Sequence, residues 1–267
     1  MEGLAQACAQ AHFGDVVDAP HASLESEVNV ALHVACTSIN HVGSVAIGIA
    51  SQSTVLRYAL LAEEDCGISS LASAKRRANW MRGRVAARIA LGKLGTAQGA
   101  VGRGKAGEPI WPHGISGSIT HCLPWSVAAV TESSSSVFLG IDLEDTKRIQ
   151  EFGIENVVCR PAEREWVHED SNSLERLCRI FSAKEALYKS LFPSFGHYID
   201  FDEVELCWSG EQCGFQVVTL PCQNGPEGRV SLIASRRSKN LIFSCAVYAT
   251  RRVSPSRAEP IPHSSSL

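Results

Sequence analysis

Nowhere in the sequence do about 18 apolar residues follow one another, so no membrane-spanning helix is expected. Ten cysteines are spread at positions 8, 36, 66, 122, 159, 178, 207, 213, 222 and 245 without a single Cys-x-x-Cys pair, which argues against a structural zinc site. No secretory leader is read and a chain of this length needs no staples. Buried or incidental thiols of a cytoplasmic protein are therefore expected rather than disulfides. Net basic charge is also lacking: the formal charge is −3, which excludes bulk electrostatic binding of nucleic acid. The one glycine-rich stretch, Gly102-Arg-Gly-Lys-Ala-Gly107, lacks the lysine-serine ending of a P-loop. It runs into Glu108-Pro109-Ile110-Trp111-Pro112 instead of a helix, so it is not a dinucleotide fingerprint either. No residue-level repeat is detected.

What is present is an ordinary globular mix, 45% hydrophobic and 20% charged over 267 residues. It suits one large domain or two of about 100–150 residues each. Residues 1–25 read as a loose lead-in. Two β-branched runs, VNVALHVAC and VGSVAIGIA, read as strands. Ser73 is a plausible N-cap for a helix over 73–94, with Ala74, Ala78, Met81, Val85 and Ile89 on one stripe and Gly92 and Gly95 at its end. Six cations on that helix, Lys75, Arg76, Arg77, Arg82, Arg84 and Arg88, have no acid among them and would repel one another unless an anion sat nearby. Residues 126–131 and 137–144 read as the two strands of a hairpin. A short helix is expected over 161–168 and a long one over 174–192, stopped by Pro193. FQVVTL, RVSLIAS and LIFSCAVYA read as further strands, and 251–267 as a disordered tail.

Three segments carry candidate chemistry. On a strand, Asp142 and Glu144 of Gly140-Ile-Asp-Leu-Glu144 point to one face. They are either a pair of surface acids or, with a hard cation to relieve their repulsion, a magnesium site. Glu185 and Lys189 share a helical face at i and i+4, as a simple ion pair or as cleft-facing groups. His121 follows the small, hydroxylated run Gly117-Ser-Ile-Thr, and a single histidine is more often structural than functional.

Taken together and in order, the motifs Lys75-Arg76-Arg77 with Gly83-Arg84-x-Ala86-Ala87, Gly107-Glu-Pro-x-Trp111-Pro, Gly117-Ser-Ile-Thr-His121-Cys122, Gly140-Ile-Asp-Leu-Glu144 and Phe181-Ser-Ala-Lys-Glu185-Ala-Leu-Tyr-Lys189 resemble those of the Sfp-type phosphopantetheinyl transferases, over roughly residues 55–195. The resemblance is to the subgroup of enterobactin synthase component D proteins in particular. Phe181 stands where many members carry tryptophan.

The resemblance implies an α+β fold of two similar halves in a pseudo-twofold arrangement, with the active site between them. The halves would be residues 26–136, which grip coenzyme A, and 137–250, which carry the metal and catalytic motifs. It implies Mg²⁺ (or Mn²⁺) on Asp142, Glu144 and Glu185, since Leu143 between the first two offers no ligand. Lys189 would contact the phosphates, and Asp142 would also face the coenzyme A side. Arg76, Arg84 and Arg103 would grip the nucleotide and its 3′-phosphate, because a planar guanidinium meets phosphate oxygens in pairs. Thr120 and His121 would lie against the nucleotide. Glu185 is the first candidate base for the attacking serine and Glu163 the second.

The activity implied is the holo-[acyl-carrier-protein] synthase reaction: a cytoplasmic monomer would transfer phosphopantetheine to an apo acyl or peptidyl carrier protein in siderophore, nonribosomal peptide or polyketide biosynthesis. Local basic or apolar patches near the cleft would receive the carrier. A non-catalytic module binding coenzyme A or carriers, and a different magnesium-dependent phosphotransfer or hydrolysis enzyme, are the competing classes.

Overall fold

The computed structural model describes residues 19–38, 44–58, 61, 64, 73–96, 99–132, 136–149, 153–220 and 227–250. The tail expected over 251–267 and the lead-in up to residue 18 lie outside the described residues. The fold is α+β, with two sheet-bearing lobes flanked by helices.

In the first lobe β1 (Val45–Ala50) leads through the short α2 (Gln52–Val55) to the long α3 (Ala74–Leu94), followed by β4 (Ile115–Cys122) and β5 (Trp125–Glu132). Between α3 and β4 lies a small ribbon, β2 (Gly102–Arg103) with β3 (Pro109–Ile110). In the second lobe β6 (Val137–Asp145) leads through α4 (Thr146–Ile149), α5 (Glu155–Val158) and α6 (Pro161–His168) to α7 (Ser173–Phe195). There follow β7 (Glu205–Ser209), β8 (Gly214–Thr219), β9 (Gly228–Val230), β10 (Ile233–Ser238) and β11 (Leu241–Thr250). The sheet orders are β1-β5-β4 and β6-β11-β10-β8-β7, with β9 also on β11. The first three strands of each sheet therefore follow one plan: a leading strand at the edge, the lobe's last strand beside it, then the one before that.

Both lobes press their long helix against the leading strand through a glycine. A Cβ on Gly48 of β1 would lie 2.0 Å from the Ala86 carbonyl oxygen of α3, and one on Gly140 of β6 would lie 1.9 Å from that of Ala186 in α7. No side chain fits there, because the obstacle is backbone. Gly140→Ala is therefore expected to cost at least about 3 kcal/mol through overpacking, read as a lowered urea midpoint or as loss of soluble protein.

Ser73 caps α3, its hydroxyl accepting from the Arg76 N–H at 3.3 Å, and Gly95 ends the helix with φ +79°, as its sequence implies. The six cations do not share one solvated face. Arg82, Arg84 and Arg88 are buried; the fully buried Glu64 lies near Arg84 and 3.7 Å from Arg88, while Arg82 donates to Gln52 and Asn79. The Glu64 carboxylate also accepts from the Leu61 and Val101 N–H groups.

Several expected elements are corrected. VNVALHVAC is not a strand: it belongs to α1 (Ala19–Thr37), which also takes in the end of the supposed lead-in. Leu24, Val28, Ala31, Leu32 and Ala35 are its buried positions. That three-and-four spacing outweighs the β-branched content, and the helix packs on β10 and β11. The strands at 126–131 and 137–144 exist but form no hairpin: β5 pairs with β1 and β4, and β6 with β11. The chain crosses from one lobe to the other between them. Pro193 does not stop α7, which runs to Phe195 and ends on Gly196 at φ +70°. A proline this close to the end forfeits only one hydrogen bond. RVSLIAS is split between β9 and β10.

Candidate functional site

The lobes meet along β4 and β6, and the candidate residues gather there. β6 is an edge strand whose free N–H groups need acceptors. The Ser118 hydroxyl accepts from Ile141 N and the Thr120 hydroxyl from Leu143 N, both at 3.1 Å. Thr120 also donates to Asp142 Oδ1 at 3.1 Å. From the helix side, the Lys189 ammonium reaches the same Oδ1 at 2.6 Å. Lys189 is thus paired across the two segments with Asp142, not simply with its helical neighbour Glu185. Asp142 is 3% exposed and sits well inside β6, which corrects any view of it as a strand-end surface acid. Its other oxygen, Oδ2, is buried and has no hydrogen-bond partner among the described residues.

Glu144 points to the same side and lines a cavity of about 400 Å³ with Lys75, Asn79, His121, Arg148 and Phe181. Burial, then the charge of Asp142, pushes the Glu144 carboxyl up to about 8 against the pull of Lys189 and Arg148. Burial also raises Glu185, with Lys189 opposing and Asp142 adding to the shift. For Lys189 burial works against the charge, but Asp142 and Glu185 outweigh it and the ammonium is held above its ordinary value. Three carboxylates and one ammonium therefore feel one another, with an excess of negative charge.

A raised acid binds more protons folded than unfolded, so its contribution to stability declines as pH rises from about 4.5 to about 8. In chelator, Glu144→Gln is expected to flatten that decline and to leave the variant more stable than wild type at pH 8, as urea midpoints measured across pH will show.

His121 stands on the cavity side of β4, its Nδ1 2.9 Å from the Ser126 hydroxyl. It keeps a solvent-accessible edge. Desolvation of the ring, with the nearby charges of Lys189, Arg84 and Arg82, holds the imidazole below its ordinary value and hence neutral. Gly83 on α3 makes room for it, since a Cβ there would lie 2.5 Å from His121 Cε1. Thr120, the preceding residue, points the opposite way, as alternate strand residues must, toward Asp142. Trp111 spans Gly117, donating to its carbonyl at 2.9 Å.

The basic residues separate by place. Arg76 is exposed in the first turn of α3 and Arg103 is exposed on the β2–β3 ribbon. Arg84 is buried, lies 3.5 Å over the Trp80 ring and donates to the Gly102 carbonyl at 2.7 Å. Burial lowers it to about 10, with Glu64 opposing the shift. It fastens the ribbon that carries Arg103.

Glu163 is not available as a base. It is 2% exposed. Its Oε2 accepts from Lys184 and from Arg160 N, each at 2.7 Å, and its Oε1 from Leu206 N at 2.8 Å. Lys184 is equally enclosed, donating to the carbonyls of Val158, Phe201 and Val204 at 2.8 Å. The lysine before Glu185 thus belongs to the scaffold. Glu64 and the Thr120–Asp142 bond were not picked out from the sequence. A lone acid 24 residues before Arg88 and a threonine in a small-residue run carry no periodic signal.

Both lobes match models of known protein families. Residues 64–131 match the family model of the 4′-phosphopantetheinyl transferase N-terminal domain, and 138–223 that of the 4′-phosphopantetheinyl transferase superfamily. The 4′-phosphopantetheinyl transferase PptT of Mycobacterium tuberculosis is 32% identical over 153 residues, which are 57% of this chain and 67% of that protein. The chain belongs to the 4′-phosphopantetheinyl transferase superfamily. Another superfamily member, Npt of Nocardia iowensis, is 37% identical over 137 residues, 51% of this chain and 61% of that protein. The match thus spans about three fifths of that relative's length. Enterobactin synthase component D of Salmonella typhimurium is 37% identical over 73 residues, 29% of its length. Component D of Escherichia coli K12 matches over 144 residues, 66% of its length, at 28% identity; the superfamily is shown, on both lobes, and the expected component D subgroup is not.

Superfamily resemblance implies a divalent cation. Among the described residues no three carboxylate, imidazole or thiolate groups stand close enough to form a ready-made metal cage. The chemistry nevertheless fits a cation held by few protein ligands: an orphaned carboxylate oxygen on Asp142, a neighbouring Glu144 raised by burial and by the charge of Asp142, and oxygen donors of the kind Mg²⁺ takes alongside substrate phosphates.

Proposed function

We propose that this chain transfers the phosphopantetheine arm of coenzyme A to a serine of an apo acyl or peptidyl carrier protein, releasing adenosine 3′,5′-bisphosphate. The observation that carries the reading is the seam itself: Asp142 from one segment and Lys189 from another meet at 2.6 Å, beside Glu144, Glu185 and a cavity lined by both polar and apolar side chains. Phosphoryl transfer asks for positioning and charge stabilisation more than for covalent participation, and the seam offers both signs of charge. A divalent cation, Mg²⁺ or Mn²⁺, held by Asp142 and Glu144 with Glu185 beside them, would neutralise diphosphate charge.

The protein's own groups do the rest. Glu185, raised by burial, accepts the proton of the carrier serine. The serine oxygen then bonds to the phosphorus that bears pantetheine, and the bond from that phosphorus to the bridging oxygen breaks. Lys189 stabilises the charge that develops on the departing bisphosphate. Exposed Arg76 and Arg103 hold the nucleotide end, and neutral His121 can donate a hydrogen bond to a phosphate oxygen from the cavity wall. Carriers of siderophore, nonribosomal peptide or polyketide biosynthesis would be this chain's partners.

Incubating the full chain with coenzyme A, Mg²⁺ and a panel of apo carriers, and weighing the carriers by mass spectrometry, tests the reading. One added phosphopantetheine is expected. Binding of coenzyme A that is indifferent to chelation, with no carrier modified, would overturn it in favour of a non-catalytic binding module. Release of the bisphosphate without any carrier would indicate a hydrolase. Arg76→Ala is expected to raise the coenzyme A KM about tenfold, a loss of one charge-assisted contact, with kcat little changed. A kcat defect at unchanged KM would contradict its placement at the nucleotide.

A further inference from the structure

The buried face of β4 carries hydroxyls where a core strand would carry aliphatic side chains: Ser116, Ser118 and Thr120, at alternate positions, are all buried. Two of them do the same work for the backbone, each accepting one N–H from the open edge of β6. Among the described residues Thr120 alone of the three makes a second bond, from its proton to Asp142 Oδ1. A hydroxyl has one proton, and here it is committed to the carboxylate, while the lone pair toward Leu143 N fixes the oxygen that carries it. Lys189 comes to that same Oδ1. One carboxylate oxygen is thus capped twice and the other, Oδ2, is left buried and unpartnered among the described residues. A carboxylate that turned freely would share its donors between both oxygens, since an unmet buried acceptor is costly.

We infer that Thr120 is a positioning residue: it reaches from the first lobe to hold the Asp142 carboxylate in the one rotation that keeps Oδ2 free for an incoming ligand, the divalent cation of the transferase reading on which this inference rests. Family resemblance had placed Thr120 against the nucleotide. The direction of its side chain assigns it to the acid on the neighbouring lobe, and the same bond makes the metal site depend on how the two lobes are docked.

The test compares Thr120→Val, Thr120→Ser and Ser118→Ala in the full chain, reading Mn²⁺ affinity by electron paramagnetic resonance and stability by urea unfolding. Thr120→Val and Ser118→Ala each remove one acceptor from a β6 N–H, so both are expected to lose stability to a similar extent. Only Thr120→Val is expected to weaken Mn²⁺ binding, by about 10–100-fold, as loss of a group that orients a metal ligand does. Thr120→Ser keeps the hydroxyl and is expected to restore affinity close to wild type. Wild-type affinity in Thr120→Val, or equal weakening in Ser118→Ala, would overturn the inference. A wild-type protein that binds Mn²⁺ yet modifies no carrier would defeat the transfer reading alone, and Thr120 would still be judged by the Mn²⁺ series. A wild-type protein that binds no Mn²⁺ would defeat both.

Discussion

Asp142→Asn is expected to lower the rate of carrier modification by about 10²–10³-fold, the loss that follows removal of one preorganised electrostatic group, while the protein still folds. Asparagine has the shape of the acid, and its oxygen can still accept from Thr120 and Lys189. What disappears is the negative charge on a group 3% exposed, and with it the reason for a cation to bind beside Glu144. The Lys189 side chain keeps 27% of its surface accessible, so its lost counter-charge is partly made good by water. The accompanying loss of stability should stay near about 1–3 kcal/mol. Asp142→Ala is the poorer experiment, because truncating one partner of a mostly buried pair can cost about 3–5 kcal/mol and confuses inactivity with unfolding. Single-turnover rates, taken with a circular-dichroism check of the fold, decide the matter. An asparagine variant as fast as wild type would take Asp142 out of the site.

Lys184→Met is expected to do the reverse: to destabilise by about 3–5 kcal/mol while leaving the rate per folded molecule near wild type. Lys184 stands immediately before Glu185 in the chain, yet its ammonium is spent on Glu163 and three backbone carbonyls. Removing it strands a carboxylate that is itself enclosed. Those bonds tie α7 to α5, α6 and the segment leading into β7, so the damage should spread through the second lobe. Urea unfolding gives the stability, and active-site-normalised transfer gives the rate. Exchanging both partners, Lys184→Met with Glu163→Gln, should recover part of the loss, since the stranded charge goes as well. A large kcat defect at full stability would instead put Lys184 in the chemistry.

The legible parts of this protein were those governed by near neighbours in the chain. Ser73, the stripe through Val85 and Gly95 mark α3 because capping and helical spacing act within a turn or two. Asp142 and Glu144 share a face because strand side chains alternate. The first element was misread because VNVALHVAC has β-branched content that favours a strand while its buried positions keep helical spacing, and only packing against β10 and β11 arbitrates. The hairpin at 126–144 was misread for a related reason. Two apolar strands joined by a short polar turn pair with each other unless better edges exist elsewhere, and β1 and β11 supply them.

By itself, then, the sequence determined the α+β class, the long helices and the residues that carry charge at fixed local spacing, because periodicity and capping are short-range forces. Only the tertiary structure decided which charges meet. Of six cations on one helix it buried three, Arg88 against Glu64, Arg84 against the β2–β3 ribbon and Arg82 against Gln52 and Asn79. Of two candidate bases it enclosed Glu163 and left Glu185 at the seam. It brought Lys189 to Asp142, 47 positions earlier in the chain, and set a threonine from the opposite lobe against the same acid. Such pairings are chosen by the desolvation cost of each buried charge, which forces a partner on it from whatever element the fold brings near.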